Sequence, residues 1–221
     1  MAQSNPGSER TTVRRHSERG RYHREVIDAI LDEGLICHLG VTYDGRAHVI
    51  PTMYARHGDL VYVHGAMANR ALVELRQGGT ATLVVTLLDG LVMARSAFHH
   101  SMNYRSVVVI GAAVDVVDEV EKLAAMKALV EQVAPGRWSE TRHPNRVELS
   151  STVILAIRLD EASAKVRTGP PIDEESDLDS EHWAGVIPLA LRSGPPEDAP
   201  DMPRVVGAPA YASNYVRPHR G

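Results

Sequence analysis

The chain has 221 residues, 43% of them hydrophobic, and a formal net charge of −4, which is the composition of a globular protein with one domain of ordinary size plus tails. This weakly acidic balance argues against a nucleic acid or an anionic membrane as partner, because both are recognised by an excess of basic side chains. A single cysteine, Cys37, excludes an intramolecular disulfide, and no segment approaches the ~18 apolar residues of a membrane span. A cytoplasmic protein is expected.

The first third of the sequence changes from a polar tail to a helix and then to strands. Residues 1–18 are polar and predicted to be disordered. Apolar residues at helical spacing predict a helix over 21–33, which Gly34 ends. The dipeptide Asp44-Gly45 suits the positive φ angles of a tight hairpin turn. Strands with a two-residue period are predicted at 35–43, 46–55 and 60–64.

The middle of the chain continues this pattern. A short helix is predicted at 67–77, followed by a hairpin of strands 80–88 and 91–98 around Asp89-Gly90. The remaining elements of the domain are a strand at 104–117, a helix at 118–133 and a strand at 151–159. Gly111 stands where a bulge or bend can fall in the first of these. Residues 169–221 form an acidic linker and a Pro-rich extension, in which 183–191 can make a short strand.

The order of these elements indicates the fold class. Six or seven strands in tight turns, with helices only at the start, between two strands and near the end, predict a mainly β fold with flanking helices. The early turns are too short for the crossovers of a parallel sheet. A closed antiparallel barrel over residues 19–168 is therefore predicted, and a β-sandwich is the alternative.

Common catalytic and metal-binding motifs are missing from the sequence. It contains eleven histidines but no HExxH and no His/Cys grouping with the spacing of zinc ligands. His99 and His100 are adjacent, so in an extended chain their side chains point to opposite faces. No GxSxG, Walker or GxGxxG pattern occurs either. No metal site is predicted from these residues.

One strand-to-helix corner has the residues of an anion site. A strand is predicted to end at His64, Gly65 permits close approach, and Asn69 and Arg70 lie in the first turn of the next helix. Backbone N–H groups, an amide and a guanidinium suit a phosphate. The alternative is an exposed helical arginine beside an ordinary strand-end histidine. Pro51 indicates a strand edge, a bulge or backbone that faces a flat ligand.

These features together resemble a known family. The segments HVIPTMY (48–54), YVHGAMANRAL (62–72) and YRSVVVIG (104–111) are similar to those of the flavin-binding split-barrel family of pyridoxamine 5'-phosphate oxidase-like proteins. The similarity is greatest to the branch that contains the nitroimidazole-resistance proteins, and it runs from about residue 21 to 159.

The resemblance implies a six-stranded antiparallel split barrel that forms a homodimer and binds FMN in the cleft between the subunits. It also implies a set of cofactor-binding residues contributed by three segments of the chain. The set is Val49, Ile50, Pro51, Thr52, His64, Gly65, Asn69, Arg70, Tyr104, Arg105 and Ser106.

The function implied by the resemblance is that of an FMN-dependent oxidoreductase, which reduces a small organic substrate by hydride transfer from reduced flavin. His64 would be the catalytic residue, as a proton donor, or would hydrogen-bond a flavin oxygen. The Arg-Lys phosphate grip of true pyridoxamine phosphate oxidases is reduced to Arg70-Ala71, which argues against vitamin B6 oxidation. Two alternatives are a flavin-storing or sensing module without turnover, and a split barrel that holds haem or a deazaflavin. The residues then available to ligate iron would be His99, His100 and Met102.

Overall fold

A computed structural model describes residues 7–202 and 206–216. The strands are β1 (Gly20–Arg21), β2 (Ile36–Tyr43), β3 (Arg46–His57), β4 (Leu60–Ala66), β5 (Thr80–Met93), β6 (Ser101–Asp115), β7 (Thr152–Arg158), β8 (Ala162–Arg167) and β9 (Gly185–Pro188). The helices are α1 (Arg24–Glu33), α2 (Arg70–Arg76), α3 (Glu119–Val133), α4 (Arg146–Ser151) and α5 (Ala210–Ser213). None of the helices in this part of the chain is long and apolar enough to cross a membrane.

Six of the strands close into a ring in the order β2, β3, β4, β7, β6 and β5, and every pairing in it is antiparallel. Two strands change partner along their length. β3 pairs with β2 up to Met53 and with β4 from Tyr54, while β6 pairs with β8 up to Val109 and with β7 from Ala113. The mainly β split barrel with flanking helices is thus confirmed, with β1, β8 and β9 as additional strands.

The barrel interior is filled by alternate residues of the strands. On β2, Cys37, Leu39 and Val41 are buried, as expected for a strand with one face toward a core. Burial raises the pKa of the Cys37 thiol to about 12, so it stays protonated and is not a nucleophile. Asp44 and Gly45 both have positive φ, 51° and 68°, which confirms the tight turn between β2 and β3.

The hairpin predicted around Asp89-Gly90 is wrong. β5 runs without interruption from Thr80 to Met93, and the register shifts once, between Leu88 and Gly90. The partner strand β6 continues beside β5 on both sides of this irregularity, so the dipeptide forms a bulge instead of a turn.

Other differences concern weakly apolar segments. β8 and α4 were not expected, because their short sequences carry no clear apolar period. The helix predicted from residue 67 begins at Arg70, since β4 extends to Ala66.

Of the tail expected to be disordered, residues 1–6 lie outside the described residues. The rest contacts the domain, for example where the Val13 N–H donates to the Tyr22 hydroxyl at 2.8 Å. In the C-terminal extension, β9 pairs with the end of β5.

The junction between α1 and the barrel predicts a strong effect for one small substitution. A Cβ on Gly34 would lie 2.2 Å from the Tyr54 hydroxyl oxygen and 2.6 Å from Val85 Cγ1. Tyr54 is fully buried and donates to the Leu31 carbonyl at 2.6 Å, so it cannot move freely. We expect Gly34→Ala to lower the free energy of unfolding by about 1 to 3 kcal/mol in urea denaturation. Gly194→Ala, which adds a Cβ in open space, is the control, and equal stability of the two variants would contradict this packing.

Candidate functional site

A cavity of about 530 Å³ opens where β3 and β4 separate. Tyr54 of β3 pairs with Val63 of β4, and beyond this pair Met53 and His64 line the opening. α3 packs against β3 and contributes an apolar wall. The wall residues are Met126, Leu129 and Val130. The volume lies within the ~300 to 1,000 Å³ typical of ligand and cofactor sites.

The remaining wall of the cavity is the segment that joins α3 to α4, residues 137–148. Glu131 fixes its start, because its carboxylate accepts the N–H groups of Gly136 at 2.7 Å and Trp138 at 2.9 Å. Its end is fixed by a capping box between Asn145 and Glu148 at the start of α4. These local hydrogen bonds hold the segment over the open edge of the barrel.

His64 is the one histidine that lines this cavity among the described residues. Its ring is partly buried, and Nδ1 is buried without a hydrogen-bond partner in the described part of the chain. Burial lowers the pKa of His64, so the imidazole is neutral near pH 7. A neutral imidazole keeps one nitrogen lone pair that can accept a hydrogen bond or bind a metal ion.

Two arginines and an aromatic pair stand in the connecting segment. Arg142 donates to both carboxylate oxygens of Glu148, at 2.9 and 2.6 Å. Arg137 donates to the Tyr211 hydroxyl of α5 at 2.7 Å. The Trp138 ring stacks on His143 with centroids 4.7 Å apart. An apolar cavity with cations in its wall is suited to an amphipathic ligand that carries acidic groups.

The β3 residues expected to line a flavin ring lie next to this opening. Between Arg46 and Met53, β3 pairs with β2, and no described residue pairs with its other edge. Pro51 lies in this stretch and is exposed, which fits a strand edge, one of the three placements that the sequence left open. Val49 is 64% exposed and Ile50 packs against the core. The open edge is therefore free to contact a ligand or a second subunit.

Arg70, predicted to bind phosphate, begins α2, and its guanidinium contacts the tip of the β2–β3 hairpin. It forms an ion pair with Asp44, and its guanidinium lies 4.7 Å from the ring centroid of Tyr43. Tyr43 in turn stacks on His48 with centroids 3.6 Å apart. Both members of the ion pair are about two-thirds exposed, so an incoming anion can compete for Arg70.

Asn69 caps α2. Its side-chain oxygen accepts the N–H groups of Ala71 at 3.1 Å and Leu72 at 3.3 Å. We expect Asn69→Ala to destabilise the protein by about 1 kcal/mol in chemical denaturation, and Asn69→Asp to keep most of the stability. A variant that lost flavin affinity at unchanged stability would instead make Asn69 a phosphate ligand, as the resemblance implies.

The segment Tyr104 to Ser106 lies on β6, between β5 and β8. Arg105 donates to Glu33 and Asp89 through four hydrogen bonds of 2.6 to 2.9 Å. The Ser106 hydroxyl donates to the Lys165 carbonyl at 3.3 Å. None of these three residues lines the cavity. Of the predicted site residues, His64 alone lines the cavity in the described part of the chain, while Pro51 and Thr52 precede the lining residue Met53 and Arg70 contacts the β2–β3 hairpin.

The residues considered as iron ligands lie elsewhere. His100 Nδ1 is 3.0 Å from the Ser96 carbonyl, and His99 Nε2 is 3.5 Å from Glu174. Neither they nor Met102 line the cavity. The described residues contain no group of three or more His, Cys, Asp or Glu side chains that could hold a metal ion.

Sequence reasoning missed the α3–α4 segment and the two methionines of the cavity. The run RWSETRHPN has no period that predicts a wall, and Met53 and Met126 are far apart in the sequence. The lone Trp138 among basic residues is the one signal that could have indicated a ligand site.

Comparison with known proteins identifies relatives over almost the whole chain. A family model described as pyridoxamine 5'-phosphate oxidase matches residues 23–166. The flavocytochrome Anf3 from Azotobacter vinelandii is 39% identical, with a TM-score of 0.89 over 95% of this chain and 97% of that one. A FAD and heme binding protein from Mycobacterium smegmatis is 33% identical, with a TM-score of 0.84 over 87% of this chain and 95% of that one. No curated protein matches.

A putative 5-nitroimidazole antibiotic resistance protein from Bacteroides thetaiotaomicron shares the fold, at 17% identity and a TM-score of 0.58 over 66% of this chain and 86% of that one. The family model covers well over half of the sequence, and two relatives exceed 30% identity. The chain therefore belongs to the pyridoxamine 5'-phosphate oxidase family.

Proposed function

We propose that the protein is a redox protein that binds a flavin and a haem, with His64 as a ligand of the haem iron. The observation that carries this proposal is the partly buried imidazole of His64 in the wall of an apolar cavity, where burial lowers its pKa so that the ring is neutral. The names of the flavocytochrome and of the FAD and heme binding protein support it, because those two relatives share the fold along nearly the full chain.

The cavity residues fit a haem. Met126, Leu129 and Val130 offer apolar contacts to a flat macrocycle, and neutral imidazole is a common ligand of iron. A bound haem would supply one-electron chemistry, and a flavin exchanges one or two electrons. The protein's part is to exclude water from the apolar wall and to keep the imidazole unprotonated.

This role for His64 differs from the proton donor expected from the sequence. A proton donor must be protonated near the working pH, whereas burial lowers the pKa of His64 and favours its neutral form. The same shift favours a metal ligand, which needs a free lone pair.

The flavin would lie along the open edge of β3 near Pro51 and Thr52, opposite the edge that pairs with β2. The resemblance implies FMN, and the name of the Mycobacterium smegmatis relative favours FAD. FAD is the flavin we propose, because that relative is similar over most of the chain. Parallel titrations with FMN and FAD test the choice, and tighter binding of FMN would reverse it.

A homodimer is part of the proposal. Exposed apolar side chains lie on four adjacent strands, and a second copy of the chain would cover them. They are Ile36 on β2, Val49 on β3, Leu88 on β5 and Met102 on β6. A second copy could also supply the Tyr104 to Ser106 segment to the flavin. Light scattering that gives a monomer which still binds flavin tightly would contradict the shared cleft.

Reconstitution tests the function as a whole. Apoprotein titrated with haem and then with flavin should bind both at one per chain, and anaerobic reduction of the flavin should be followed by reduction of the haem. Flavin binding and turnover of a small organic substrate without haem binding would favour the flavin oxidoreductase expected from the sequence. Flavin binding without haem and without turnover would favour storage.

A further inference from the structure

Arg137 differs from the other charged residues of the cavity wall. Among the described residues it forms no ion pair, and its one recorded side-chain hydrogen bond is to the neutral phenol of Tyr211, at 2.7 Å. Arg142, by contrast, is already neutralised by two hydrogen bonds to Glu148. Arg137 is an exposed residue, and its positive charge, unpaired among the described residues, lies at the rim of an otherwise largely apolar cavity.

The backbone around Arg137 is held in place on both sides. Gly136 has a positive φ of 90°, a conformation suited to glycine, and Glu131 binds the N–H groups of Gly136 and Trp138. The Tyr211 hydroxyl then orients the guanidinium from the C-terminal extension. A guanidinium held by one hydrogen bond loses less entropy on binding an oxyanion than a free one, and its planar fork matches a carboxylate.

We infer that Arg137 binds a carboxylate of the cavity's ligand, which for haem is a propionate. This inference rests on the proposed haem site and adds the orientation of the ligand. The iron would face His64, and the edge that carries the propionates would face residues 137–148. The wall cation selects ligands with an apolar body and an acidic edge over wholly apolar ligands of the same size. Arg137 is a positioning residue, because it does not contact the iron.

The test compares haem with haem dimethyl ester, in which both propionates are esterified. Apoprotein of the wild type, Arg137→Ala and Arg146→Ala is titrated with each compound, and binding is followed by absorbance in the Soret region. Arg146 is the control because it is an exposed arginine on α4 that does not line this cavity. We expect Arg137→Ala to weaken haem binding about tenfold and to leave binding of the ester within about twofold of wild type. Arg146→Ala should bind both compounds as the wild type does.

The outcomes separate this inference from the function on which it rests. Equal loss for haem and its ester, or no loss for either, would overturn the role of Arg137 while leaving the haem site intact. Wild-type protein that binds neither ligand would overturn the haem site itself. Circular dichroism melts of each variant identify loss of folding, and Arg137→Lys, which keeps the charge, should recover part of the haem affinity.

Discussion

Replacing His64 with alanine is expected to weaken haem binding by more than about 100-fold, since even loss of a group that only supports a metal ligand costs ~10- to 100-fold. The variant should lack the Soret band of a histidine-ligated haem and should keep its flavin, because β3 and not His64 would carry the flavin contacts. Titration of apoprotein with haem, followed by flavin fluorescence quenching, measures both affinities.

A matched histidine provides the control. His57 is exposed on the adjacent strand β3, so His57→Ala should bind haem like the wild type. Added imidazole should restore haem binding to His64→Gly by filling the space of the lost ring. Haem binding by His64→Ala at wild-type affinity and with an unchanged spectrum would contradict ligation by this residue.

The pH dependence has a defined sign. Because burial lowers the pKa of His64 below its unfolded value of about 6.5, the ring is neutral above that pH in both folded and unfolded chains. Haem affinity that depends on His64 should therefore be constant above about pH 6.5 and fall as the pH drops through the lowered pKa.

The second large effect expected is on stability, at Arg105. This guanidinium joins the end of α1 to the bulge of β5 through Glu33 and Asp89, and its side chain is 12% exposed. Its hydrogen bonds to Asp89 and Glu33 raise the pKa of Arg105, which stays charged. Arg105→Ala leaves two carboxylates facing each other with little solvent, so we expect a loss of about 3 kcal/mol in the free energy of unfolding.

The control for Arg105 is an exposed ion pair. Arg158 and Asp160 are each 64% exposed, and Arg158→Ala should unfold at the same urea concentration as the wild type. Combining Arg105→Ala with Glu33→Gln should recover part of the lost stability by removing one of the two carboxylate charges that Arg105 contacts. If Arg105→Ala lowered flavin affinity and left stability unchanged, the residue would contact flavin directly, as the resemblance implies.

Local patterns were enough to predict the barrel. The two-residue period of β2 and the turn at Asp44-Gly45 depend on residues next to each other in the sequence. The same kind of signal failed at Asp89-Gly90, because a turn dipeptide cannot indicate that β6 continues past it. Long-range pairing outweighed the local turn preference at that point.

The candidate site was less accessible to sequence reasoning. His64 was singled out, but its environment depends on Met53, α3 and Trp138, which come from three separate parts of the chain. Whether a histidine is neutral, and whether its nitrogens have partners, is set by those contacts and not by its neighbours in sequence. His99 and His100, named from the sequence as possible iron ligands only under the haem alternative, contact Glu174 and the Ser96 carbonyl instead.

The most direct test of the central proposal is the absorption spectrum of the purified protein. The protein is produced in cells supplied with precursors of haem and of riboflavin, and no cofactor is added during purification. Mass analysis then identifies the compounds released on denaturation. A Soret band together with flavin absorbance, and release of both haem and FAD, is the expected result. Flavin alone, with no Soret band after haem is added to the purified protein, would contradict a haem site at His64.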